Sequence, residues 1–508
     1  MDNANLLEKL HATDRECCHL EKAAAMLQWD QEVYLPEMGV EGRADQLALL
    51  EGIIHERFTS PKTGELLAGL GSVEGNPQGD EKLPAAERDF LKAIFRKYNR
   101  AVKLPKDFVI AAARAEGLSH AAWVKARQGN DFRAFLPHLV KMIDFARQKA
   151  VYLGSVKNPY DGLLDIYEPG MDSAAISSVF GPLRERLSAL LKKIASRSGP
   201  DLSFLKHEFD TSVQARFNSE LMKKLGFDFR RGRIDTSAHP FTTTLGADDI
   251  RITTRFDSAN IFSAIFSTIH ECGHAFYEMA FPYELRGSSL ADGASMGIHE
   301  SQSRFWENVI GRSLYFWEKF FPMLRSYFPD TLGQVNAETF YKAVNEVRPS
   351  LIRVDADEVS YSLHVILRFE LEKQLFSGEL DPSALPSRWQ QLMKEILGVE
   401  PETDAEGVLQ DVHWAGGAFG YFPSYALGNL YGLQFCEKLK ADLSTELPNF
   451  PEGADKDNFS VLHSWLKENI YVWGCRLEPQ ELLKKVTGQS LMAEPFLNYI
   501  EKKYSNIY

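Results

Sequence analysis

The residues with the most obvious chemistry stand in one run, His270-Glu271-Cys272-Gly273-His274. Ile261, Phe262, Ile265, Phe266 and Ile269 precede it, and Ala275, Phe276 and Tyr277 follow, an apolar pattern of helical period. Residues four apart on a helix share a face, so His270 and His274 can offer imidazole nitrogens to one metal ion. Glu271 then flanks the site, where a general base for a metal-activated water must stand. Chance produces this pattern in roughly a few per hundred chains of this length. The bland alternative is a helix with two ordinary histidines. The apolar flanks weigh against it, because burying so much polarity needs a compensating partner such as a metal.

A catalytic zinc usually takes three protein ligands and keeps a fourth position open. The nearest downstream candidate is Glu300, in Gly297-Ile298-His299-Glu300-Ser301-Gln302, on a helix expected over 295–319. It would complete a His/His/Glu set. His299 is the rival ligand, and spacing alone leaves Glu300 equally free to be a surface residue.

These residues need a scaffold, and most of the chain reads as helix. Helical patterns run over 6–29, 46–56, 84–98, 105–128, 132–153 and 173–196, the last with Asp172-Ser173 as a start signal. The turn formers of 71–80 read as an exposed loop. Residues 233–256 differ: β-branched and aromatic residues cluster there, split by Gly246-Ala247-Asp248-Asp249, which predicts a β-hairpin or small sheet. After Asn260 helices return. The expected fold is mainly α, a large helical unit with a deep groove and a small sheet near 233–256. The 508 residues allow roughly two to four domains, but no linker stands out. One unit over 1–508 is favoured, with 1–200 as a helical lid or lobe and 201–508 carrying the motifs.

Hydrophobic residues are 44% and charged residues 25%, which excludes a disordered or fibrous chain. The net charge of −13 argues against nucleic acid and anionic membranes as partners. Five cysteines, an odd number with no C-x-x-C pair, read as reduced thiols. With no secretory leader at the N-terminus and no apolar run of roughly 18 residues, a cytoplasmic protein is expected.

Six motifs occur in order over the C-terminal half: His239-Pro240-Phe241; Asp249-Ile250-Arg251-Ile252-Thr253; the His270–His274 run; His299-Glu300-Ser301-Gln302; Ile352-Arg353-Val354-Asp355-Ala356-Asp357; and Gly407-Val408-Leu409-Gln410-Asp411-Val412-His413-Trp414. In these the chain resembles the thermostable carboxypeptidase Taq family of metallocarboxypeptidases. Cys272 falls at a variable position, and no fixed motif position departs from the family pattern. The resemblance implies that His270, His274 and Glu300 bind one metal ion per chain and that Glu271 is the catalytic base. It further implies a grooved helical fold related to angiotensin-converting-enzyme-like and neurolysin-like peptidases, a homodimer, and removal of single residues from peptide C-termini. Zinc is the expected ion, and cobalt can occupy the same ligand set.

A carboxypeptidase must hold a free α-carboxylate, which a guanidinium does bidentately. Arg353 is the candidate; its alternative is an ion pair with Asp355 or Asp357. Asp357, Tyr361, His364 and Arg368 follow at helical steps, as either a groove lining or a solvated face. The oxyanion needs donors, for which His413, Tyr421 and Tyr425 are candidates, Tyr425 ahead of Tyr421. Core packing is the ordinary reading of either Tyr. His239 and Arg251 are candidate substrate contacts on a strand wall, since an edge strand around 249–253 could pair with an extended peptide. Sheet-to-helix packing is the alternative. Internal cleavage, as by an oligopeptidase, or a peptide-binding scaffold without catalysis are the rival functions. An intact Glu271 argues against the scaffold.

Overall fold

The computed structural model describes residues 2–453, 457 and 459–508. Helices α1 (Asn3–Val33) and α2 (Val40–Phe58) lie side by side, followed by α3 (Pro61–Gly69) and α4 (Ala85–Lys103). Their inward residues, including Leu10, Phe58, Leu67, Phe90 and Ile94, form a small core of their own that also takes in Leu285 and Leu290. The connector over 71–80 is non-helical, with Gly71, Gly75 and Gly79 at positive φ. α5 (Lys106–Gly129), α6 (Phe132–Tyr152), α7 (Pro159–Tyr167), α8 (Ser173–Ala195) and α9 (Thr211–Leu225) join the main core. Asp172 caps α8 as its position implied, its side chain accepting the Ala175 N–H.

The β-rich segment is a three-stranded sheet of β1 (Gly232–Thr236), β2 (Thr242–Gly246) and β3 (Asp249–Thr254), in the order β1-β3-β2. β2 and β3 form the expected antiparallel hairpin, while β1 pairs in parallel with β3. The strand expected as an edge, 249–253, is therefore central. β1 takes its free side, and the edges are β1 and β2.

α10 (Ile261–Met279) follows, its first turn capped by Asn260, which accepts the Ser263 N–H. α11 (Met296–Arg304) is capped by Ser295, which accepts the Ile298 N–H. The single helix expected over 295–319 is interrupted. Phe305–Ile310 widen into a π-helix, and Ser313 caps a new helix, α12 (Leu314–Tyr327), by accepting the Phe316 N–H. A serine competing for backbone donors at that point favours a fresh start over continuation.

The remaining helices are α13 (Pro329–Leu332), α14 (Ala337–Val344), α15 (Tyr361–Ser377), α16 (Leu385–Leu397), α17 (Phe422–Asp442), α18 (Ser460–Asn469), α19 (Pro479–Thr487) and α20 (Glu494–Ile507). α15 and α17 are buried along most of their length, and α17 runs against α11. Among the described residues no helix is long and apolar enough to cross a membrane, and all five cysteines are free thiols.

Candidate active site

α11 lies between α10 and α17, and glycines let it approach both. A Cβ on Gly273 of α10 would come within 2.6 Å of Gln302 O and Ser303 Cα, and one on Gly428 of α17 within 2.5 Å of Glu300 Cγ. This squeeze brings Glu300 to the histidine face of α10. Glu300 Oε2 lies 3.6 Å from His270 Nε2 and 3.5 Å from His274 Nε2. The donor atoms of the three residues all fall within 4.8 Å of one another. Ligand bonds of about 2.1 Å in tetrahedral geometry require ligand separations of about 3.4 Å, so two nitrogens and one oxygen fit a zinc-like ion.

A second layer of side chains holds these donors from behind. Glu307 Oε2 meets His270 Nδ1 at 3.0 Å, and His299 Nδ1 meets His274 Nδ1 at 2.6 Å. His299 Nε2 is in turn 2.8 Å from Glu278 Oε1. His299 thus stands behind His274, and Glu300 is the residue that converges with the two imidazoles. Arg304 donates to Glu300 at 2.7 Å and to Glu307 at 3.2 Å. Such outer partners fix the ring orientation of metal-binding histidines. Burial opposes ionisation of Glu300, but Arg304 and the imidazoles outweigh it and hold the group far below the ordinary carboxylate range. The same balance, led by Arg304 and His270, holds Glu307 at about 2. Burial pushes His274 down to about 4, which favours a neutral ring whose Nε2, on the Glu300 side, is free to bind.

Glu271 is 5% exposed, and its Oε2 accepts from the Thr242 hydroxyl of the edge strand β2 at 2.5 Å. Burial drives its carboxyl upward, against the nearby His270 and the Thr242 hydrogen bond. The sheet therefore positions this glutamate through β2, a role that sequence reasoning had assigned to no residue.

Arg353 heads a second cluster. Its Nε and Nη2 donate to Asp411 Oδ1 at 3.0 and 2.9 Å, and its Nη1 to the Tyr361 hydroxyl at 3.3 Å. Its partner is therefore Asp411, not Asp355 or Asp357. Arg368 donates to the other Asp411 oxygen at 2.6 Å and to Gln410 at 2.7 Å. Burial disfavours the Asp411 charge, yet the two guanidiniums hold the group far below its usual range. The Arg353 guanidinium lies over the Tyr425 ring at 4.9 Å, and the Tyr425 hydroxyl is 3.2 Å from His413 Nε2. Tyr421 packs against both, its ring 5.1 Å from Tyr425 and 5.6 Å from His413. Burial pushes His413 down to about 4, so it is neutral at pH 7.

Of the polar steps on α15, Tyr361, His364 and Arg368 are buried, so the solvated-face reading fails. Asp357 holds the turn that leads into that helix, accepting the Val359 and Ser360 N–H groups. Tyr361 links the two clusters: the Arg304 guanidinium lies 4.2 Å from its ring, and Arg353 donates to its hydroxyl. His239 is exposed in the β1–β2 connection. Arg251 is bonded to Asp249 at 2.8 and 2.9 Å and lies over the Trp29 ring at 4.3 Å. Sequence reasoning missed Arg304, Glu307, Glu278, Thr242 and the role of Asp411. Arg304 and Glu307 carried a signal, four and seven residues after Glu300 on what reads as one helical face, and so did Glu278, four residues after His274.

Two imidazoles and a carboxylate converging beside a buried glutamate form the donor set of a metal-dependent hydrolase. A model of the carboxypeptidase Taq (M32) metallopeptidase family matches residues 9–504. The chain is 43% identical to thermostable carboxypeptidase 1 of Thermus thermophilus, over 99% of this chain and 98% of that one. It is 40% identical to carboxypeptidase 1 of Bacillus subtilis, over 96% of each. The crystal structure of an M32 carboxypeptidase from Deinococcus radiodurans superposes with a TM-score of 0.94 at 37% identity, covering 99% of both chains. The chain belongs to the carboxypeptidase Taq (M32) family and is a metallocarboxypeptidase.

Proposed function

We propose that His270, His274 and Glu300 hold one zinc ion and that Glu271 is the general base for removing the last residue of a peptide. The observation that carries this is the convergence of the three donors, with Glu300 at 3.5 and 3.6 Å from the two imidazoles and Glu271 next to His270 on the same helix. When bound, zinc supplies a Lewis acid for the scissile carbonyl and acidifies water. Cobalt suits the same donors. Glu271 takes the proton of the attacking water and passes it to the leaving amine. The Thr242 hydrogen bond fixes its carboxylate for both transfers.

Arg353 receives the substrate's terminal carboxylate. A guanidinium has five N–H groups; three are spent on Asp411 and Tyr361, which leaves two for a bidentate grip. Tyr425, oriented by its contact with His413, donates to the developing oxyanion, with Tyr421 packed behind it. His239, in the β1–β2 connection, and Arg251, on β3, contact the upstream substrate backbone. The N-terminal helices, over about 1–200, roof the groove of a single catalytic unit. The protein works as a homodimer in the cytoplasm, in keeping with its resemblance to the family and its reduced thiols.

The test is release of the C-terminal residue from an N-blocked peptide. Wild-type release is expected to vanish with chelator and return with zinc or cobalt. Glu271→Gln should lower kcat by about 10³-fold or more while metal binding persists. The C-terminally amidated peptide should resist cleavage, and efficient cutting of it would sink the carboxylate assignment of Arg353.

A further inference from the structure

α11 carries Glu300, so the seat of this helix between α10 and α17 decides where that carboxylate falls. The first N–H groups of a helix have no partner inside it. Ser295, the residue before α11, accepts the Ile298 N–H and so fixes where the helix begins. The Gly297 N–H goes elsewhere. It donates to Oε1 of Glu168, which directly follows α7 and lies 129 residues away in the chain. A cap from the adjoining chain moves with the helix, whereas a cap from a distant element ties the helix to that element. Glu168 is fully buried. Gly297 admits it, since a Cβ there would lie 2.6 Å from its Oε1. Burial lifts the carboxyl to about 7, against the Gly297 N–H and the hydroxyls of Ser295, Ser424 and Tyr431. A carboxyl keeps an oxygen able to accept in either protonation state.

The same stretch of chain supports the rest of the site. Gly420, at positive φ, sits on α7, where a Cβ would come within 2.8 Å of the Leu163 carbonyl carbon. The Tyr167 ring lies 5.0 Å from that of Tyr421. Ser424, whose hydroxyl acts on Glu168, precedes Tyr425 in the first turn of α17, and Gly428, one turn on, faces Glu300. From the other side, Asp165 accepts from Arg96 of α4 and from the Gly170 N–H, each at 2.9 Å, and from Arg100 of α4, which anchors the end of α7. Glu168 therefore stands on a braced support where α7, α11 and α17 meet. We propose that Glu168 is a positioning residue that sets the register of α11 against α17, and so of Glu300 against Tyr425. This rests on the metal and oxyanion roles proposed above and adds a residue that acts on them through Gly297.

The test compares Glu168→Ala and Glu168→Gln with Leu187→Ala, which truncates a buried residue of α8 and serves as a stability control. Zinc affinity is read by competition with a chromophoric chelator, and kcat and KM with an N-blocked peptide at saturating zinc. Glu168→Ala should lower zinc affinity about tenfold, and kcat of the loaded enzyme also about tenfold, with KM little changed. Glu168→Gln keeps the acceptor for Gly297 and should recover most of both losses. Leu187→Ala should lower Tm at least as far and keep wild-type zinc affinity and kcat. Wild-type zinc affinity and kcat in Glu168→Ala, equal losses in Leu187→Ala, or no recovery with Gln overturns the inference. If Glu168→Ala does not fold by circular dichroism, Glu168→Asp takes its place. Its arm is one carbon shorter, and the same two losses must appear at about threefold, their absence overturning the inference. If the wild type neither binds zinc nor cuts peptide, the metal reading fails instead, and hydrogen exchange decides the register separately. Faster exchange of the 296–300 amides in the Glu168 variant than in Leu187→Ala supports it, and equal exchange overturns it.

Discussion

The donor cluster on α10 and α11 and the network around Arg353 are joined through Tyr361 but are poised for opposite charges. In the first, lone pairs of His270, His274 and Glu300 face one another, while Glu307, His299 and Arg304 hold them from behind. In the second, two guanidiniums close on the single carboxylate of Asp411 and keep N–H groups in reserve. One is preorganised for a cation and the other for an anion. Neighbouring charged groups keep Glu300 and Asp411 ionised in surroundings that would otherwise protonate them. Under the proposed function a peptide end would use both, its carbonyl meeting a Lewis acid while its carboxylate meets a counter-charge a fixed distance away.

The sharpest way to break this contrast is Asp411→Asn. It leaves Arg353 and Arg368 buried without their charge partner and should cost about 3–5 kcal/mol, read by urea denaturation. A loss under 1 kcal/mol would mean that the network does not depend on this carboxylate. A smaller effect is expected from Arg353→Lys, since an ammonium cannot span both oxygens of a carboxylate. KM for peptides with a free C-terminus should rise about tenfold with kcat little changed, in steady-state kinetics. A fall in kcat at constant KM would move Arg353 from ground-state binding to the transition state.

The smallest effect lies beneath the network. Glu372 accepts from Trp414, Tyr160 and the Gly420 N–H at 2.7, 2.7 and 2.9 Å, and burial pushes it up to about 7 from an ordinary 4.5. A raised folded-state value means its stabilising contribution is complete below pH 4.5 and is lost as pH rises to about 7. Glu372→Gln should therefore flatten the stability–pH curve across that window, and an unchanged slope would show that Glu372 does not titrate there.

The donor cluster was legible because its chemistry is local. Two histidines share a helix face by spacing alone, and the apolar flanks of α10 announce that helix. Glu300 was placed by resemblance, because no periodicity says that Gly273 and Gly428 will let α11 come so close. The Arg353 network is non-local: Asp411 is 58 residues from Arg353 and 43 from Arg368, and a single sequence carries no pattern for such a meeting. The sheet shows the same limit. The β2–β3 hairpin was readable from its turn, whereas the parallel entry of β1, which makes β3 central, depends on a crossover that local pattern does not encode.

The π-helix at Phe305–Ile310 gives the chain an unusual dependence on its own length. A π-turn accommodates a surplus residue, and each residue of an α-helix turns the chain by about 100°. Deleting Phe305 or Trp306 would let the segment relax to an ordinary helix and would turn Glu307 by about 100° away from His270 and Arg304. A chain one residue shorter would keep all six motifs intact and still lose the carboxylate that steadies one of its histidines.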